Sequence, residues 1–146
     1  MSHLFAFHLI VYDPRLSSNQ QGGWRDPIAL MIDFKPTFLE WAGISPSDDV
    51  QGKSLVPIIN GENPRDWRSE FFYEHHSFAD RIPRSEGVRT ERYKYLNYLD
   101  SNPRFEELYD LETDPGEEKN LANDPDYSDL LREMRAKWEE WREKVR

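Results

Sequence analysis

The chain has 146 residues, carries 28 acidic against 19 basic side chains for a net charge of −9, and contains no cysteine. A chain of this length fits one domain, or one small domain together with part of another. The excess of acidic residues argues against general nucleic-acid binding, which needs Lys and Arg to displace counterions from phosphates. The absence of cysteine excludes disulfides, thiolate-bound zinc, cysteine nucleophiles and iron–sulfur clusters.

The apolar side chains are few but large. They make up 37% of the chain, with aromatic residues alone at 14%, and each ring can bury roughly 150–250 Å² in a core. No stretch approaches the roughly 20 apolar residues that span a bilayer, so we expect no membrane span. Residues 1–11 are apolar but lack the basic start and the cleavage site of a signal peptide. We predict a buried strand over residues 5–12 instead, and so abrupt a start suggests a truncated chain.

A helix is predicted between Asp33 and Gly43. Asp33 is the expected N-cap, Pro36 suits the first turn, and Gly43 is a stop signal. Its predicted buried face consists of Phe34, Phe38, Leu39, Trp41 and Ala42. One further helical turn is predicted over residues 54–60, ended by Gly61.

The second half predicts an α+β unit. Aromatic and β-branched residues favour four short strands, at residues 70–76, 87–92, 93–99 and 105–111. A long helix follows, capped by Asp124. Its predicted buried face, at helical spacing, consists of Tyr127, Leu130, Leu131, Met134, Trp138, Trp141 and Val145. We therefore predict a small four-stranded antiparallel sheet packed against a long C-terminal helix.

Two histidines at the end of the predicted strand at residues 70–76 are candidate ligand-binding residues. Strand alternation sends His75 to one face of the sheet, and Glu74 and His76 to the other. Such side chains at a strand end can hydrogen-bond a ligand. The same pattern is also typical of exposed edge histidines.

A basic run is the second candidate site. It consists of Arg81, Arg84, Arg89, Arg92 and Lys94. Its positive field could attract an anionic substrate, although charged residues are ordinary on the exposed face of a strand. The seven acidic residues between positions 106 and 118 predict a solvated loop rather than a calcium site.

Four segments resemble the C-terminal part of the sulfatase family. The most specific is ELYDLETDPGE at residues 107–117, which runs into NLA at residues 120–122. The segment GVRTERYKY at residues 87–95 is similar to the strand pair that precedes this signature. Upstream, DFKPTFLEWAGI at residues 33–44 resembles the family's Asp-x-x-Pro-Thr helix, and QGKSL at residues 51–55 resembles its short link into the final subdomain.

The resemblance implies that residues 1–62 are a remnant strand and helix of the larger α/β domain of a sulfatase. It implies that residues 63–146 are the C-terminal subdomain. Sulfatases hydrolyse sulfate esters with a formylglycine, made from Cys or Ser in a Cys/Ser-x-Pro-x-Arg motif, beside a calcium ion. This chain has no cysteine. Its nearest serine match, the segment SNPR at residues 101–104, is one residue short of that motif. No position matches the family's calcium ligands. We therefore expect no catalytic residue, metal or cofactor in this chain, and expect the rest of a sulfatase polypeptide as its partner.

In the sulfatase family this subdomain commonly borders the substrate cleft. The resemblance thus gives Glu74, His75, His76 and Arg89 a role in substrate binding. It also implies an exported parent enzyme, whether periplasmic, secreted or lysosomal. Two alternatives are a free-standing interaction module and a fragment of a related phosphonate or phosphate ester hydrolase. An uncovered strand would favour self-association through residues 4–12.

Overall fold

The computed structural model describes residues 9–76 and 83–145. They fall into two compact units that divide between Ser69 and Glu70, while the boundary at residues 62 and 63 stays a prediction. The helices are α1 (Phe34–Trp41), α2 (Val56–Ile59) and α3 (Ser128–Lys144), and the strands are β1 (Glu70–His75), β2 (Ser85–Thr90), β3 (Tyr93–Tyr98) and β4 (Phe105–Asp110). None of the helices in the described residues is long and apolar enough to cross a membrane.

The first unit is organised around the fully buried Asp33. This residue stands at the N-cap position of α1, but its side chain makes no capping hydrogen bond to that helix. Its carboxylate instead accepts the backbone N–H groups of Leu30 at 2.7 Å and Lys53 at 2.9 Å. Arg68 completes the set with two hydrogen bonds, of 2.5 and 2.6 Å. The aspartate therefore joins three separate segments of the chain, which is a larger role than the predicted cap.

The predicted buried face of α1 was wrong. The helix buries Pro36 and Thr37. Of the five predicted residues, Phe34 and Leu39 are half-buried, and Phe38, Trp41 and Ala42 are exposed. Hydrogen bonds of Thr37 explain this orientation of the helix. Thr37 Oγ1 donates to the backbone oxygen of Asp33 at 2.6 Å and accepts the N–H of Leu55 at 2.9 Å. These bonds turn the Thr37 side of the helix inward.

The predicted short helix and both stop signals are confirmed. α2 lies within residues 54–60, and the glycines that follow α1 and α2, Gly43 and Gly61, have φ angles of 71° and 81°, which glycine adopts without steric cost. The predicted first strand is not confirmed, since residues 9–12 are not in a strand and residues 5–8 lie outside the described residues. A strand needs a paired neighbour to be stable, and the sheet in the described residues pairs only β1 to β4.

The second unit contains the predicted antiparallel sheet, with strand order β1-β2-β3-β4. The register aligns Phe72, Val88, Tyr95 and Leu108 in one row across all four strands. Alternation places this whole row on one face of the sheet. Three of its residues are fully buried in the core, and Phe72 packs against them. The α+β prediction is confirmed.

α3 covers this row as predicted. Leu131, Met134 and Trp138 are buried against the sheet, with Tyr127, Leu130 and Trp141 packed around them. The helix entry is also confirmed, because Asp124 accepts the backbone N–H of Asp126 at 3.1 Å. Val145 was wrongly assigned to the buried face, since it follows the last helical residue and is half exposed.

Candidate functional site

The signature at residues 107–122 fastens a loop to the edge of the sheet. Asn120 Oδ1 accepts the N–H groups of Leu108 at 3.0 Å and Ala122 at 2.9 Å, and Asn120 Nδ2 donates to the backbone oxygen of Glu106 at 3.1 Å. The backbone N–H of Leu121 donates to Leu108 O at 2.8 Å. The asparagine thus satisfies backbone groups at the edge of β4, as a neighbouring strand would.

A buried ion pair holds the same loop to the sheet. Lys94 has no exposed side-chain surface, and its ammonium lies 2.5 Å from the carboxylate of Glu117. Glu117 has a φ angle of 54°, which is uncommon for a residue with a side chain. Two other acidic residues of this region are paired as well, Asp110 with Arg92 and Glu106 with a helix arginine. The prediction of a solvated loop was therefore wrong for these acids, which are part of the fold.

A cavity of about 380 Å³ opens where β1 ends and β2 begins, within the size range of small-molecule sites. Its polar lining includes Glu74, His75, His76, Arg84, Glu86 and Arg142. The structure thus brings together three of the four predicted site residues. Alternation places Glu74 and His76 on the face of Phe72, which α3 covers, and the His75 side chain on the other face.

The His75 side chain faces away from those of Glu74 and His76, although the residue contributes to the cavity lining. Its register partner is Ser85, another cavity residue. Nε2 of His75 is buried and has no hydrogen-bond partner among the described residues. A buried polar group without a partner costs about 1–3 kcal/mol.

The opposite wall of the cavity was missed by the sequence analysis. Glu86 is buried and accepts Trp138 Nε1 at 3.1 Å. Nε of Arg142 lies 3.0 Å from the same carboxylate, without hydrogen-bond alignment, and its guanidinium stacks 5.1 Å from the Trp138 ring. Glu86 lay outside the predicted strand at 87–92, and Arg142 lies 56 positions further along the chain. Strand alternation extended by two residues would have placed Glu86 beside Glu74.

Arg89, the fourth predicted site residue, does not line the cavity. It pairs with Phe71 and Lys94 in the register, four residues along β2 from Ser85. The rise of a strand places it about 13 Å from the strand end. The cavity and Arg89 are therefore separate places on the sheet.

Three residues of the basic run have carboxylate partners in the fold. Arg84 donates three hydrogen bonds to the carboxylate of Asp100, and these bonds raise the pKa of Arg84. Arg92 and Lys94 have the carboxylate partners described above, while Arg81 lies outside the described residues. The predicted positive field is therefore largely neutralised within the described part of the chain.

The profile of the N-sulphoglucosamine sulphohydrolase C-terminal family matches residues 5–144. The chain belongs to this family. Among curated relatives, the Delta 4,5-hexuronate-2-O-sulfatase of Bacteroides thetaiotaomicron is 42% identical over 113 residues, which are 72% of this chain and 22% of the relative. The chain thus spans about a fifth of that relative's length, and the predicted resemblance to a sulfatase C-terminal portion is confirmed.

Solved structures agree with this membership. One structure, in complex with its substrate D-glucosamine-2-N,6-O-disulfate, has a TM-score of 0.67 and 31% identity, covering 76% of this chain and 23% of the other. The phosphonate monoester hydrolase of Agrobacterium radiobacter has a TM-score of 0.59 and 28% identity, covering 77% of this chain and 24% of the other. A structure with a sulfated-sugar substrate and a phosphonate monoester hydrolase therefore both contain this fold.

The described residues do not fit the sulfatase cofactors. No three His, Asp or Glu side chains within residues 9–76 and 83–145 are placed to hold one metal ion. The segment SNPR at residues 101–104 lies between β3 and β4. There Arg104 donates hydrogen bonds to Asn97 Oδ1 at 3.0 Å and to the Tyr95 hydroxyl at 2.9 Å. Its arginine thus supports the sheet.

Proposed function

We propose that the chain is the non-catalytic C-terminal part of a sulfate-ester hydrolase and borders its substrate cleft. One observation carries this proposal: a member of the sulfatase C-terminal family has a cavity at the end of β1 lined by Glu74, His75 and His76. The other prominent charges of this unit are engaged in the fold, as the Lys94 and Glu117 pair illustrates. Glu74 and His76, in contrast, are exposed in the cavity lining.

Sulfated sugars are the proposed substrate class. The curated relative at 42% identity is named for a sulfated hexuronate, and the structure at 31% identity holds a disulfated glucosamine as its substrate. Both names describe sugars that carry sulfate. A cavity of about 380 Å³ is large enough to take part of such a ligand.

The rest of a longer sulfatase polypeptide is the proposed partner of the first unit. This unit exposes large apolar side chains, among them Phe38 and Ile44 at 59% and 55%. Covering apolar surface gains about 25 cal/mol per Å². In the absence of such a partner, we propose self-association through residues 4–12 or through α1. Light scattering of the whole chain over a range of concentrations measures this, and a monomer at every concentration would rule it out.

A second candidate is a phosphonate ester hydrolase, because the Agrobacterium enzyme has the same fold at 28% identity. The two candidates differ in the ligand that the cavity would recognise. A phosphonate monoester and a sulfated sugar, titrated separately into the chain, distinguish them.

The test uses the whole isotope-labelled chain and D-glucosamine 6-sulfate. We expect saturable chemical-shift changes at the backbone amides of residues 74–76, and smaller or absent changes with a phosphonate monoester. We also expect no turnover of an aryl sulfate with calcium. Turnover that scales with protein after repurification would contradict the non-catalytic role, and unmoved amides at residues 74–76 would contradict the substrate role.

A further inference from the structure

The two arginines that line the cavity at the end of β1 differ in their hydrogen bonds. Arg84 donates three bonds to the carboxylate of Asp100, at 2.5, 2.9 and 3.2 Å. Nε of Arg142 is buried and has no hydrogen-bond partner among the described residues, although Glu86 Oε2 lies 3.0 Å away. A guanidinium carries five N–H donors in a fixed fork. The fork of Arg84 is therefore occupied, whereas the carboxylate beside Arg142 does not engage Nε in an aligned bond.

Arg142 is nevertheless held in a defined position. Its guanidinium carbon lies 5.1 Å from the centre of the Trp138 ring, and Trp138 is buried. The same indole donates to Glu86 at 3.1 Å, which fixes the ring and the carboxylate relative to each other. A cation above an aromatic face is attracted by the ring, and a stacked guanidinium loses little freedom when it binds a ligand. Arg142 is thus a preorganised donor group.

Arg142 reaches the cavity on the face of the sheet that bears its exposed polar residues. Alternation places Glu74, His76 and Glu86 on the face that α3 covers, and Arg142 belongs to the last turn of α3. Of its side-chain surface, 33% is exposed. Because Nε is buried, this exposed surface belongs to the other atoms of the side chain. Arg142 and His76 therefore line the cavity on the same face of the sheet.

The chemistry of Arg142 favours an oxyanion as its ligand. A guanidinium donates hydrogen bonds and accepts none, and its planar fork matches the two oxygens of a carboxylate or a sulfate. The carboxylate of Glu74 is exposed, so water and salt screen its repulsion of an anion. The carboxylate of Glu86 also accepts the indole N–H, so its stability does not depend on Arg142 alone. The cavity lining thus allows an anion to approach Arg142.

We infer that Arg142 binds an oxyanion group, a carboxylate or a sulfate, on the sugar that occupies this cavity. The inference rests on the proposed function and makes it more specific, since it names the residue and the substituent that determine which sugar is accepted. A sugar with such a group gains a charge-assisted pair of hydrogen bonds, which an uncharged sugar lacks.

The experiment titrates the whole isotope-labelled chain with three sugars of the same ring, D-glucose, D-glucuronate and D-glucose 6-sulfate, at constant ionic strength. The readout is the Nε–H resonance of Arg142. We expect the anionic sugars to shift it saturably and D-glucose to bind about tenfold more weakly, since it lacks the hydrogen bonds between charged groups. A response to one anionic sugar alone supports the inference and identifies the group. Equal affinity for all three sugars, or no shift with any of them, would overturn it.

Variants assign the binding to this arginine. Arg142→Gln should weaken the affinity for the anionic sugars by about tenfold, and Arg142→Lys, which keeps the charge without the fork, should restore part of it. The matched control is Arg132→Gln, because Arg132 is an exposed arginine of α3 whose partner is Asp129, and its loss should change nothing. Wild-type affinity in Arg142→Gln would overturn the inference. If this variant does not fold, the titration of the wild-type chain decides.

The outcome for the proposed function is read separately, with D-glucosamine 6-sulfate. If that sugar moves the amides of residues 74–76 equally in wild type and in Arg142→Gln, the proposed function stands and this inference falls. If it leaves them unmoved in wild type, both fall.

Discussion

Truncation of Trp138 tests how α3 is held to the sheet. The indole is 5% exposed and lies in the core with Tyr95, whose ring centre is 6.3 Å away. Replacement of a buried Trp by Ala costs about 3–5 kcal/mol. We place Trp138→Ala at the upper end of that range, because the variant also removes the donor that satisfies the buried carboxylate of Glu86.

This loss is large compared with the roughly 5–15 kcal/mol that stabilises a typical domain. It should lower the thermal midpoint of this unit by about 12 °C or more. The assay is guanidinium unfolding followed by far-UV circular dichroism, with the midpoint and slope fitted together. Trp138→Phe should recover most of the packing but not the hydrogen bond to Glu86.

Glu139→Ala is the matched control, because Glu139 is the next residue along α3 and is exposed. It should change the stability by less than about 0.5 kcal/mol. Equal effects of the two alanine substitutions would show that the buried face of α3 is wrongly assigned. So would a cost below about 1 kcal/mol for Trp138→Ala, since a substitution that opens a cavity in a core costs more.

Three other substitutions test the polar contacts of the fold. Asp33→Asn removes a buried charge and should lower the free energy of unfolding by about 3–5 kcal/mol. Hydrogen exchange at the two backbone amides that donate to its carboxylate should become faster, and unchanged exchange would contradict the role of Asp33. Lys94→Met leaves Glu117 buried without its cation and should cost a similar amount in urea unfolding, whereas a neutral effect would contradict a structural role for the pair. Burial tends to raise the pKa of Glu106, but hydrogen bonds from Arg135 and a tyrosine outweigh it and hold the pKa below its usual range. The stability that this lowered pKa contributes is fully present above the unfolded pKa of about 4.3 and is lost as pH falls through the folded pKa. Glu106→Gln should therefore lose less stability than wild type when the pH is lowered from 7 to acid. An equal loss of stability in both proteins would refute this.

The second unit could be predicted because its pattern is local. Period-two alternation in four consecutive strands aligns Phe72, Val88, Tyr95 and Leu108, and helical spacing selects the face of α3 that covers them. Neither inference requires knowledge of distant contacts. The strand ends were less accurate, and β2 begins two residues before its predicted start.

The first unit was harder to predict, because hydrogen bonds between distant residues determine its packing. Thr37 bonds to a residue 18 positions away, and Asp33 to one 35 positions away. Apolar spacing alone selected Phe38 and Trp41 for the buried face of α1. The polar contacts instead turn Thr37 inward, and no local pattern contains that information.

The candidate site could be predicted only in part. Alternation and the strand end pointed to Glu74, His75 and His76, which do line one cavity. The opposite wall depends on Arg142, brought there only by the packing of α3. The pairing of Arg84 with Asp100 could not be predicted either, because the two residues come from different segments of the chain.

A crystal of the whole chain soaked with D-glucosamine 6-sulfate tests the central claim most directly. The account predicts the sugar in the cavity at the end of β1, within hydrogen-bond distance of Glu74 or His76. A sugar bound elsewhere on the chain would contradict it.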